Sequence, residues 1–414
     1  MESMIQRVVR QARTAQLTND ITLATNTSQL DIITNQLGNN ISIVTEPEHR
    51  DTFPAIALVA CYLKFSKRCA DDEVIVIMPC DPYIESDYFQ TIRKIVECVD
   101  QDVADLVLMG ISPTYPSPKY GYLVPQEAVL SNFNGAQMVS RFIEKPSIEI
   151  AEKLMKQHAL WNGGVFAFRL GYIMTIVRKY ITSDSFEDIR THYSEFPKIS
   201  FDYEVAEKAK SVAVVPYSGQ WKDLGTWNSL TEELRRSTIG NVVMGAHCEN
   251  THVINELQHP IYVDGLKEVV VAACPDGILV CSKQHSEEIK EAVKDLTPRP
   301  MYEERLWGTS RVLDISTHDD GQHSLTKSIT INPGQDIAYQ IHHHRSEVWI
   351  FLEGEGIFVI DGKEQRIKAG DTVVIPIEHF HAIKALSKLT FIEIQRGNRL
   401  KEDDIEEFEW RWSE

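Results

Sequence analysis

Apolar residues follow two different periods in this chain of 414 residues, and the change between them falls near residue 232. Before that point, stretches with helical spacing, such as residues 4–9 and 88–99, alternate with short apolar runs, such as residues 74–78 and 104–109. This alternation is typical of an α/β domain with a mostly parallel sheet. After that point the apolar runs are short and bounded by Gly, Asn, Asp or Pro, which indicates β structure.

The β-rich half is itself predicted to hold two domains. Residues 233–296 combine short β runs with one helical pattern, and residues 297–300 (TPRP) are typical of a linker. From residue 301 to 414, strands are separated by turns such as Pro333-Gly334, so an antiparallel barrel or jelly roll is expected. At about 100 to 200 residues per domain, the sequence predicts three domains, at residues 1–232, 233–296 and 301–414.

Charge and composition exclude several classes of partner. Lys and Arg number 42 against 60 Asp and Glu, a net charge of −18, so no basic surface is available for nucleic acid or an anionic membrane. No apolar run reaches the ~18 residues that span a bilayer, and the start lacks an apolar signal segment. Seven cysteines without a C-x-x-C pair suit a reducing compartment. We therefore expect a cytoplasmic protein.

Potential metal ligands are spaced along the predicted strands of the last domain. Gln340 and His342 are two residues apart, so their side chains project to the same face of a strand. Glu347 begins the next strand, and His381 lies on a later strand that can come alongside. These donor types suit a divalent transition metal such as Zn²⁺. His344 lies two residues after His342, so its side chain would project to the same face of the strand, and it is a further candidate metal ligand.

This spacing resembles the two motifs of the cupin family. They are Gly334-x5-Gln340-x-His342-x4-Glu347-x6-Gly354 and Gly370-x5-Pro376-x4-His381. With Trp307-Gly308 before it and residues 393–405 (EIQRGNRLKEDDI) after it, the stretch is similar to one cupin group, the type II mannose-6-phosphate isomerases. Val348 departs from the His that usually follows the Glu of that group.

The isomerase resemblance implies a cupin barrel that converts mannose 6-phosphate into fructose 6-phosphate with a bound metal. A cation has to hold the phosphate in such a reaction. Arg345, Lys327 and Arg399 are the candidates, although each is also compatible with an ordinary surface charge. Glu347 and the histidines are all candidates for the base that moves the proton.

Seven phrases in the first part of the chain are similar, in order, to the mannose-1-phosphate guanylyltransferases of the sugar-phosphate nucleotidyltransferase superfamily. They are residues 45–57 (TEPEHRDTFPAIA), 78–81 (MPCD), 120–122 (YGY), 142–146 (FIEKP), 160–166 (LWNGGVF), 200–204 (SFDYE) and 221–227 (WKDLGTW). The resemblance implies a Rossmann-like domain followed by a small β-helix-like domain. It also implies GTP and mannose 1-phosphate as substrates, with GDP-mannose and pyrophosphate as products.

Asp81 follows an apolar strand, at the edge where open α/β sheets bind ligands, and its carboxylate suits Mg²⁺. A cap for the turn at Pro82 is the alternative role. By resemblance, Asp223 is the second Mg²⁺ ligand, and Glu46 and Arg50 belong to the pocket for the nucleotide base.

The same resemblance implies a sugar site. Lys145 is the candidate for the sugar phosphate, and an ion-paired turn is its alternative role. Glu144 and Asn162 would bind sugar hydroxyls, and Gly121 would let the backbone approach the sugar closely.

A G-G-x-G-x-R loop, which cradles the triphosphate in this family, does not occur in the sequence. Two expectations follow. Either the sequence is a truncated product or gene model, or its first domain survives without transferase activity. On the sequence as given, transferase catalysis is expected to be severely impaired. In the second case the cupin acts as an isomerase alone, or as a non-catalytic module for sugar-phosphate binding or oligomerisation. A homo-oligomer is expected in both cases.

Overall fold

The computed structural model describes residues 2–18, 20–129 and 135–413. Contacts divide the chain into a first unit, Met1–Gly225, and a second unit, Thr226–Glu414. The predicted boundaries near residues 232 and 296 remain predictions. In the described ranges, no helix is both long and apolar enough to cross a membrane.

Helices and strands alternate in the first unit. The helices are α1 Met4–Thr14, α2 Leu30–Leu37, α3 Thr52–Cys61, α4 Ser86–Asp100, α5 Ile148–Lys156, α6 Leu170–Val177 and α7 Phe186–Thr191. The strands are β1 Thr22–Asn26, β2 Ser42–Glu46, β3 Val74–Ile77, β4 Pro82–Ile84, β5 Leu106–Ile111, β6 Tyr122–Val129, β7 Gln137–Ile143, β8 Leu160–Arg169, β9 Val212–Tyr217 and β10 Trp221–Asp223.

Six strands form the central sheet in the order β3-β8-β5-β9-β7-β6. Among the described residues of this sheet, only β5 and β9 pair in parallel. Strand β8 runs antiparallel to both β3 and β5, and β7 runs antiparallel to both β6 and β9. The α/β class is confirmed, but the expectation of a mostly parallel sheet is wrong. Hydrophobic periodicity locates strands without showing their direction, and β8 is inserted against the direction of its neighbours.

Helices cover both faces of this sheet. Strand β5 is buried along its whole length, and its side chains alternate between two cores. Leu106 and Leu108 pack in the core that includes α3 and α6, while Val107 and Met109 pack in the core that includes α4. Burial on both faces explains why this strand is a continuous apolar run in the sequence.

The second unit begins with helix α8 Trp227–Glu233 and a small β part that also contains helix α9 Ile289–Val293. Its strands are β11 Thr238–Ile239, β12 Val242–Met244, β13 His252–Asn255, β14 Ile261–Val263, β15 Val269–Cys274 and β16 Gly277–Ser282. Strands β11, β13 and β15 pair in parallel, as do β12 and β14, so successive turns of chain stack on one another. This stacking gives the β-helix-like form that was expected.

The rest of the second unit is a jelly roll of two antiparallel sheets. Its strands are β17 Tyr302–Arg305, β18 Gly308–Thr317, β19 His323–Ile331, β20 Asp336–His342, β21 Arg345–Glu353, β22 Glu355–Ile360, β23 Lys363–Lys368, β24 Thr372–Ile375, β25 His381–Ala385, β26 Leu389–Gly397 and β27 Ile405–Phe408. The sheets have the orders β17-β18-β19-β26-β21-β24 and β23-β22-β25-β20-β27. Apolar side chains from both sheets form one core, which confirms the predicted cupin barrel.

Two candidate active sites

An acidic pair lies where β4 and β10 meet in the first unit. The two strands pair antiparallel with Asp223 opposite Pro82, so Asp81 lies next to Asp223. Partial burial raises the pKa of Asp81, and the nearby carboxylate of Asp223 raises it further. Two adjacent carboxylates repel each other unless a cation lies between them, and oxygen ligands suit Mg²⁺. The structure thus brings together the two predicted ligands.

A second cluster surrounds Glu144. Its side chain is 5% exposed, and a Cβ atom added to Gly121 would lie 2.4 Å from its Oε2 atom, so these residues are in close contact. Among the described residues this oxygen has no hydrogen-bond partner. Burial raises the pKa of Glu144 to about 7, and the carboxylate of Asp202 adds to the effect. The Nζ atom of Lys145 lies 3.4 Å from the other oxygen of Glu144.

Asn162, at the start of β8, belongs to the same cluster. Its backbone N–H donates to the carbonyl of Gly121 at 2.8 Å, and its side-chain amide donates to Asp202 at 2.6 Å. Burial raises the pKa of Asp202, and the charge of Lys145 opposes that rise, so Lys145 lies near this carboxylate too. Lys145 also has a φ of 47°, a conformation that non-glycine residues seldom adopt. Sequence reasoning gave Asp202 no role, although it lies within one of the matching phrases.

Three aromatic rings lie between the acidic pair and the Glu144 cluster. The ring centroid of Tyr120 is 4.8 Å from that of Trp161 and 5.6 Å from that of Trp221. Tyr120 and Trp161 directly precede Gly121 and Asn162 of the cluster, and Trp221 begins the strand that carries Asp223 of the acidic pair. The rings therefore connect the two groups of polar residues.

Glu46 and Arg50, predicted for the base pocket, both contact residues 193–196. The hydroxyl of Tyr193 donates to Glu46 at 2.7 Å. The Nε of Arg50 donates to the carbonyl of Phe196 at 3.0 Å, and its Nη1 donates to Glu48 at 2.8 Å. The structure thus places the two predicted residues beside the same segment.

The barrel of the second unit holds a buried triad of His342, Glu347 and His381. Glu347 Oε1 lies 3.2 Å from His342 Nε2, and Glu347 Oε2 lies 3.8 Å from His381 Nε2. One potential ligand atom from each residue lies within 4.8 Å of the other two. His342 on β20 and His381 on β25 belong to one sheet, whereas Glu347 on β21 comes from the facing sheet. The predicted ligands therefore meet inside the barrel.

Gln340 completes the predicted set. Its side-chain amide nitrogen lies 3.4 Å from His342 Nε2 and 3.5 Å from His381 Nε2, and rotation of the amide would place its oxygen there instead. Burial lowers the pKa of His342 to about 4 and also lowers that of His381, so both rings are neutral at pH 7. Neutral imidazoles and a carboxylate are the donors that a divalent transition metal requires. His344 is exposed and lies outside the triad.

Arg345 is buried against the triad. Its Nε donates to Glu347 Oε1 at 2.9 Å, its Nη2 lies 3.3 Å from His342 Nε2, and its Nη1 donates to the carbonyl of Lys401 at 3.0 Å. Burial favours the neutral form of Glu347, but the positive charge and the hydrogen bond of Arg345 favour the carboxylate, and the pKa of this carboxyl group is lowered. The guanidinium therefore holds the carboxylate in place.

The other two phosphate candidates lie in different places. Lys327 on β19 is buried, and its Nζ lies 4.0 Å from the carboxylate of Glu393 on β26. Arg399 is about half exposed and forms an ion pair with Asp403, so the structure does not bring it to the barrel interior. Glu393 and Gln395, joined by a hydrogen bond of 2.7 Å, were missed by sequence reasoning. Their spacing of two residues on an otherwise apolar inward face was the available signal.

Two family profiles match the chain. The nucleotidyl transferase profile matches residues 1–238, and the profile of the mannose-6-phosphate isomerase C-terminal family matches residues 298–410. The chain belongs to the nucleotidyl transferase family. Both resemblances expected from the sequence are thereby confirmed. Members of the nucleotidyl transferase and cupin families generally use divalent metal ions, which agrees with the donor types of both sites.

Curated relatives of this nucleotidyl transferase match along most of their length. The mannose-1-phosphate guanylyltransferase of Klebsiella pneumoniae is 30% identical over 402 residues, which cover 90% of this chain and 83% of the relative. The mannose-1-phosphate guanylyltransferase RfbM of Salmonella typhimurium is 31% identical over 409 residues, covering 91% and 82%. These relatives are enzymes of the predicted class, and they do not favour the alternative of a non-catalytic module.

A solved structure supports the same family. The mannose-1-phosphate geranyltransferase of Thermus thermophilus superimposes with a TM-score of 0.58 at 25% identity. The match covers 71% of this nucleotidyl transferase and 89% of that protein.

Proposed function

We propose that this nucleotidyl transferase joins mannose 1-phosphate to GTP and releases pyrophosphate, with GDP-mannose as its product. A phosphate oxygen of the sugar attacks the α-phosphorus of GTP, and the bond between the α-phosphorus and the bridging oxygen breaks. The observation that carries the proposal is the arrangement of two carboxylates and a Lys145–Glu144–Asn162 cluster around one aromatic group. Positioning and charge neutralisation account for most of the catalysis in such reactions.

Each residue of the first unit has a role in this proposal. Asp81 and Asp223 hold Mg²⁺, which when bound neutralises charge on the reacting phosphates. Lys145 binds the phosphate of the sugar, and Glu144 and Asn162 bind its hydroxyl groups. Asp202 orients Asn162 through the 2.6 Å hydrogen bond between their side chains.

The remaining roles concern the shape of the pocket. The contact between Gly121 and Glu144 leaves no room for a side chain at residue 121, so a glycine there lets the carboxylate of Glu144 pack against the backbone. Glu46 and Arg50 bind the nucleotide base. Their contacts with Tyr193 and Phe196 fix both side chains.

We propose a second activity for the barrel, the isomerisation of mannose 6-phosphate to fructose 6-phosphate. Gln340, His342, Glu347 and His381 hold a divalent transition metal such as Zn²⁺, which supplies polarisation of the oxygens at C1 and C2. Arg345 positions Glu347, because its Nε donates to that carboxylate while its two Nη atoms contact His342 and the carbonyl of Lys401. Lys327 binds the phosphate group.

Pyrophosphate release by the full chain tests the first activity. GTP with mannose 1-phosphate and Mg²⁺ is compared with ATP, UTP and CTP, and with glucose 1-phosphate as the sugar. We expect GTP and mannose 1-phosphate to give the highest kcat/KM, and EDTA to abolish release. Equal rates with all four nucleotides would contradict the assignment of GTP. No turnover by a chain that still binds GTP would favour the expectation of impaired transferase activity.

A coupled assay for fructose 6-phosphate tests the second activity, on protein loaded separately with Zn²⁺, Co²⁺ or Mn²⁺. We expect His381→Ala to lose isomerase activity and to keep transferase activity. An active His381→Ala variant would contradict the assignment of the barrel.

We also propose that the chain forms a homo-oligomer and works in the cytoplasm. The second statement rests on composition, since seven cysteines without disulfide bonds suit a reducing compartment. Light scattering coupled to size-exclusion chromatography tests the oligomeric state, and a monomer at micromolar concentration would contradict the proposed homo-oligomer.

A further inference from the structure

A turn of two residues joins two of the three members of the triad. His342 ends β20 and Arg345 begins β21, so only His343 and His344 separate the two strands. Strand β20 belongs to one sheet of the jelly roll, and β21 belongs to the facing sheet. The backbone of this turn therefore determines how the imidazole of His342 approaches the carboxylate of Glu347, which lies 3.2 Å away.

The carboxylate of Asp404 holds this turn. The backbone N–H of His343 donates to its Oδ1 atom at 3.3 Å, and the backbone N–H of His344 donates to its Oδ2 atom at 3.2 Å. The side chain of Asp404 is 1% exposed. A buried carboxylate is costly unless it accepts hydrogen bonds, and the turn supplies two of them. Asp404 and the turn are therefore fixed to each other inside the folded barrel.

Asp404 also faces Arg345, the residue that holds Glu347. The Oδ2 atom of Asp404 lies 3.9 Å from Arg345 Nη1, and Arg345 Nε donates to Glu347 Oε1 at 2.9 Å. The carbonyl of Lys401 accepts from Arg345 Nη1 and from the backbone N–H of Asp404. An uncharged side chain could hold the turn, but it would attract the guanidinium less. One carboxylate thus acts on His342 through the turn and on Glu347 through Arg345.

The ring of His342 depends on this support more than the ring of His381 does. The Nδ1 atom of His342 is buried and has no hydrogen-bond partner among the described residues. The Nδ1 atom of His381 lies 3.0 Å from the carbonyl of His379, a contact that orients the ring. The orientation of His342 must therefore come from its packing and its backbone, and Asp404 holds the backbone that follows it.

The last part of the chain brings Asp404 to the turn. Strand β27 begins at the next residue and pairs antiparallel with β20, which places Ile405 opposite His342. Farther along, the ring centroid of Trp410 lies 4.8 Å from that of Tyr339 on β20. The segment that carries Asp404 is therefore fixed along the strand that ends at His342.

We propose that Asp404 is a positioning residue of the metal site, which holds His342 and Glu347 in place to bind a divalent transition metal. The inference rests on the metal site of the proposed isomerase, and it adds a residue that acts through the ligands. Substitution of residues that orient metal ligands typically lowers metal affinity by about 10- to 100-fold.

Metal affinity of the full chain tests the proposal. Asp404→Asn keeps the size of the side chain, removes its charge and turns an NH₂ group toward one of the two backbone N–H groups. Asp403→Asn is the matched control, because Asp403 is the adjacent residue, is exposed and is paired with Arg399. Competition with a chromophoric chelator measures the Kd of Zn²⁺, and the visible absorption spectrum of the Co²⁺-loaded protein reports the arrangement of the ligands.

Stability is measured separately. Circular dichroism and urea titrations of the metal-free proteins show whether each variant is folded under the conditions of the metal titration. Asp404→Ser, whose hydroxyl can still accept one N–H, replaces Asp404→Asn if the latter does not fold.

We expect Asp404→Asn to raise the Kd of Zn²⁺ by about tenfold or more and to change the Co²⁺ spectrum, while Asp403→Asn stays within about twofold of the wild type. A less stable Asp404→Asn variant that binds Zn²⁺ like the wild type would show a purely structural role and overturn the proposal. If the wild type binds metal without isomerase activity and the Kd of Asp404→Asn still rises, the isomerase proposal fails and the role of Asp404 stands. A wild type that binds neither Zn²⁺ nor Co²⁺ would overturn both.

Discussion

Arg345 donates from Nε to Glu347 Oε1 at 2.9 Å, and the two side chains are 2% and 1% exposed. Removal of one partner from a buried ion pair leaves the other charge without compensation, which costs about 3–5 kcal/mol. We expect Arg345→Met to lower the free energy of unfolding of the barrel by this amount in urea titrations. The double variant Arg345→Met/Glu347→Gln should recover part of the loss. A loss below about 1 kcal/mol for the single variant would contradict this role.

Metal content gives a test of the triad that is independent of activity. We expect His342→Ala and His381→Ala to bind at least tenfold less Zn²⁺ after dialysis than the wild type, measured by mass spectrometry of the metal, since each removes a neutral imidazole donor. The matched control is His379→Ala, because His379 is exposed and paired with Asp361. Equal metal content in all four proteins would argue against the triad.

The acidic pair of the first unit is expected to determine the transferase rate. Asp81→Asn and Asp223→Asn should each lower kcat by about 10²- to 10³-fold, the loss typical of removing one group that stabilises transition-state charge. Asp72→Asn, an exposed residue of the same unit, serves as the control. Initial rates of pyrophosphate release at saturating Mg²⁺ give the comparison. A decrease of less than tenfold would show that the pair is not a metal site.

The raised pKa of Glu144 predicts a conflict between stability and function. The folded protein keeps the proton on Glu144 up to pH of about 7, whereas the unfolded chain releases it near 4.5, so stability falls as the pH rises between these values. We expect Glu144→Gln to be about 2 kcal/mol more stable than the wild type at pH 8 and nearly equal at pH 5. The same variant should bind mannose 1-phosphate more weakly. Urea titrations at both pH values check the difference, and equal gains at both would exclude a charge effect.

The lowered pKa of His342 predicts the opposite dependence for the metal-free barrel. The unfolded chain takes up the proton near pH 6.5, but the folded protein resists it to about pH 4, so stability is lost as the pH falls between these values. We expect a slope of up to about 1.4 kcal/mol per pH unit from this group. Unfolding of EDTA-treated protein from pH 7 to 4.5 measures the slope. His342→Asn should reduce it, and an unchanged slope would assign the effect to other groups.

The sequence predicted the grouping of polar side chains in the barrel because strand parity needs no knowledge of the rest of the fold. Gln340 and His342 share a face by their spacing alone, His381 lies opposite Gln340 on the neighbouring strand β25, and Glu347 comes from β21 in the facing sheet. Loop residues have no such constraint. Arg399 therefore turned outward to Asp403, while Arg299, in the predicted linker, lines a cavity together with Lys327.

The sequence pattern also did not show the direction of each strand, and the direction of β8 determines where Asn162 lies. Because β8 runs antiparallel to β5, its first residues lie beside the last residues of β5, with Asn162 opposite Gly110 and Gly164 close to Pro79. A parallel β8 of the same ten residues would carry Asn162 about 17 Å away, towards the opposite edge of the sheet. The reversal of one strand thus delivers the side-chain amide of Asn162 to the edge that already holds Asp81.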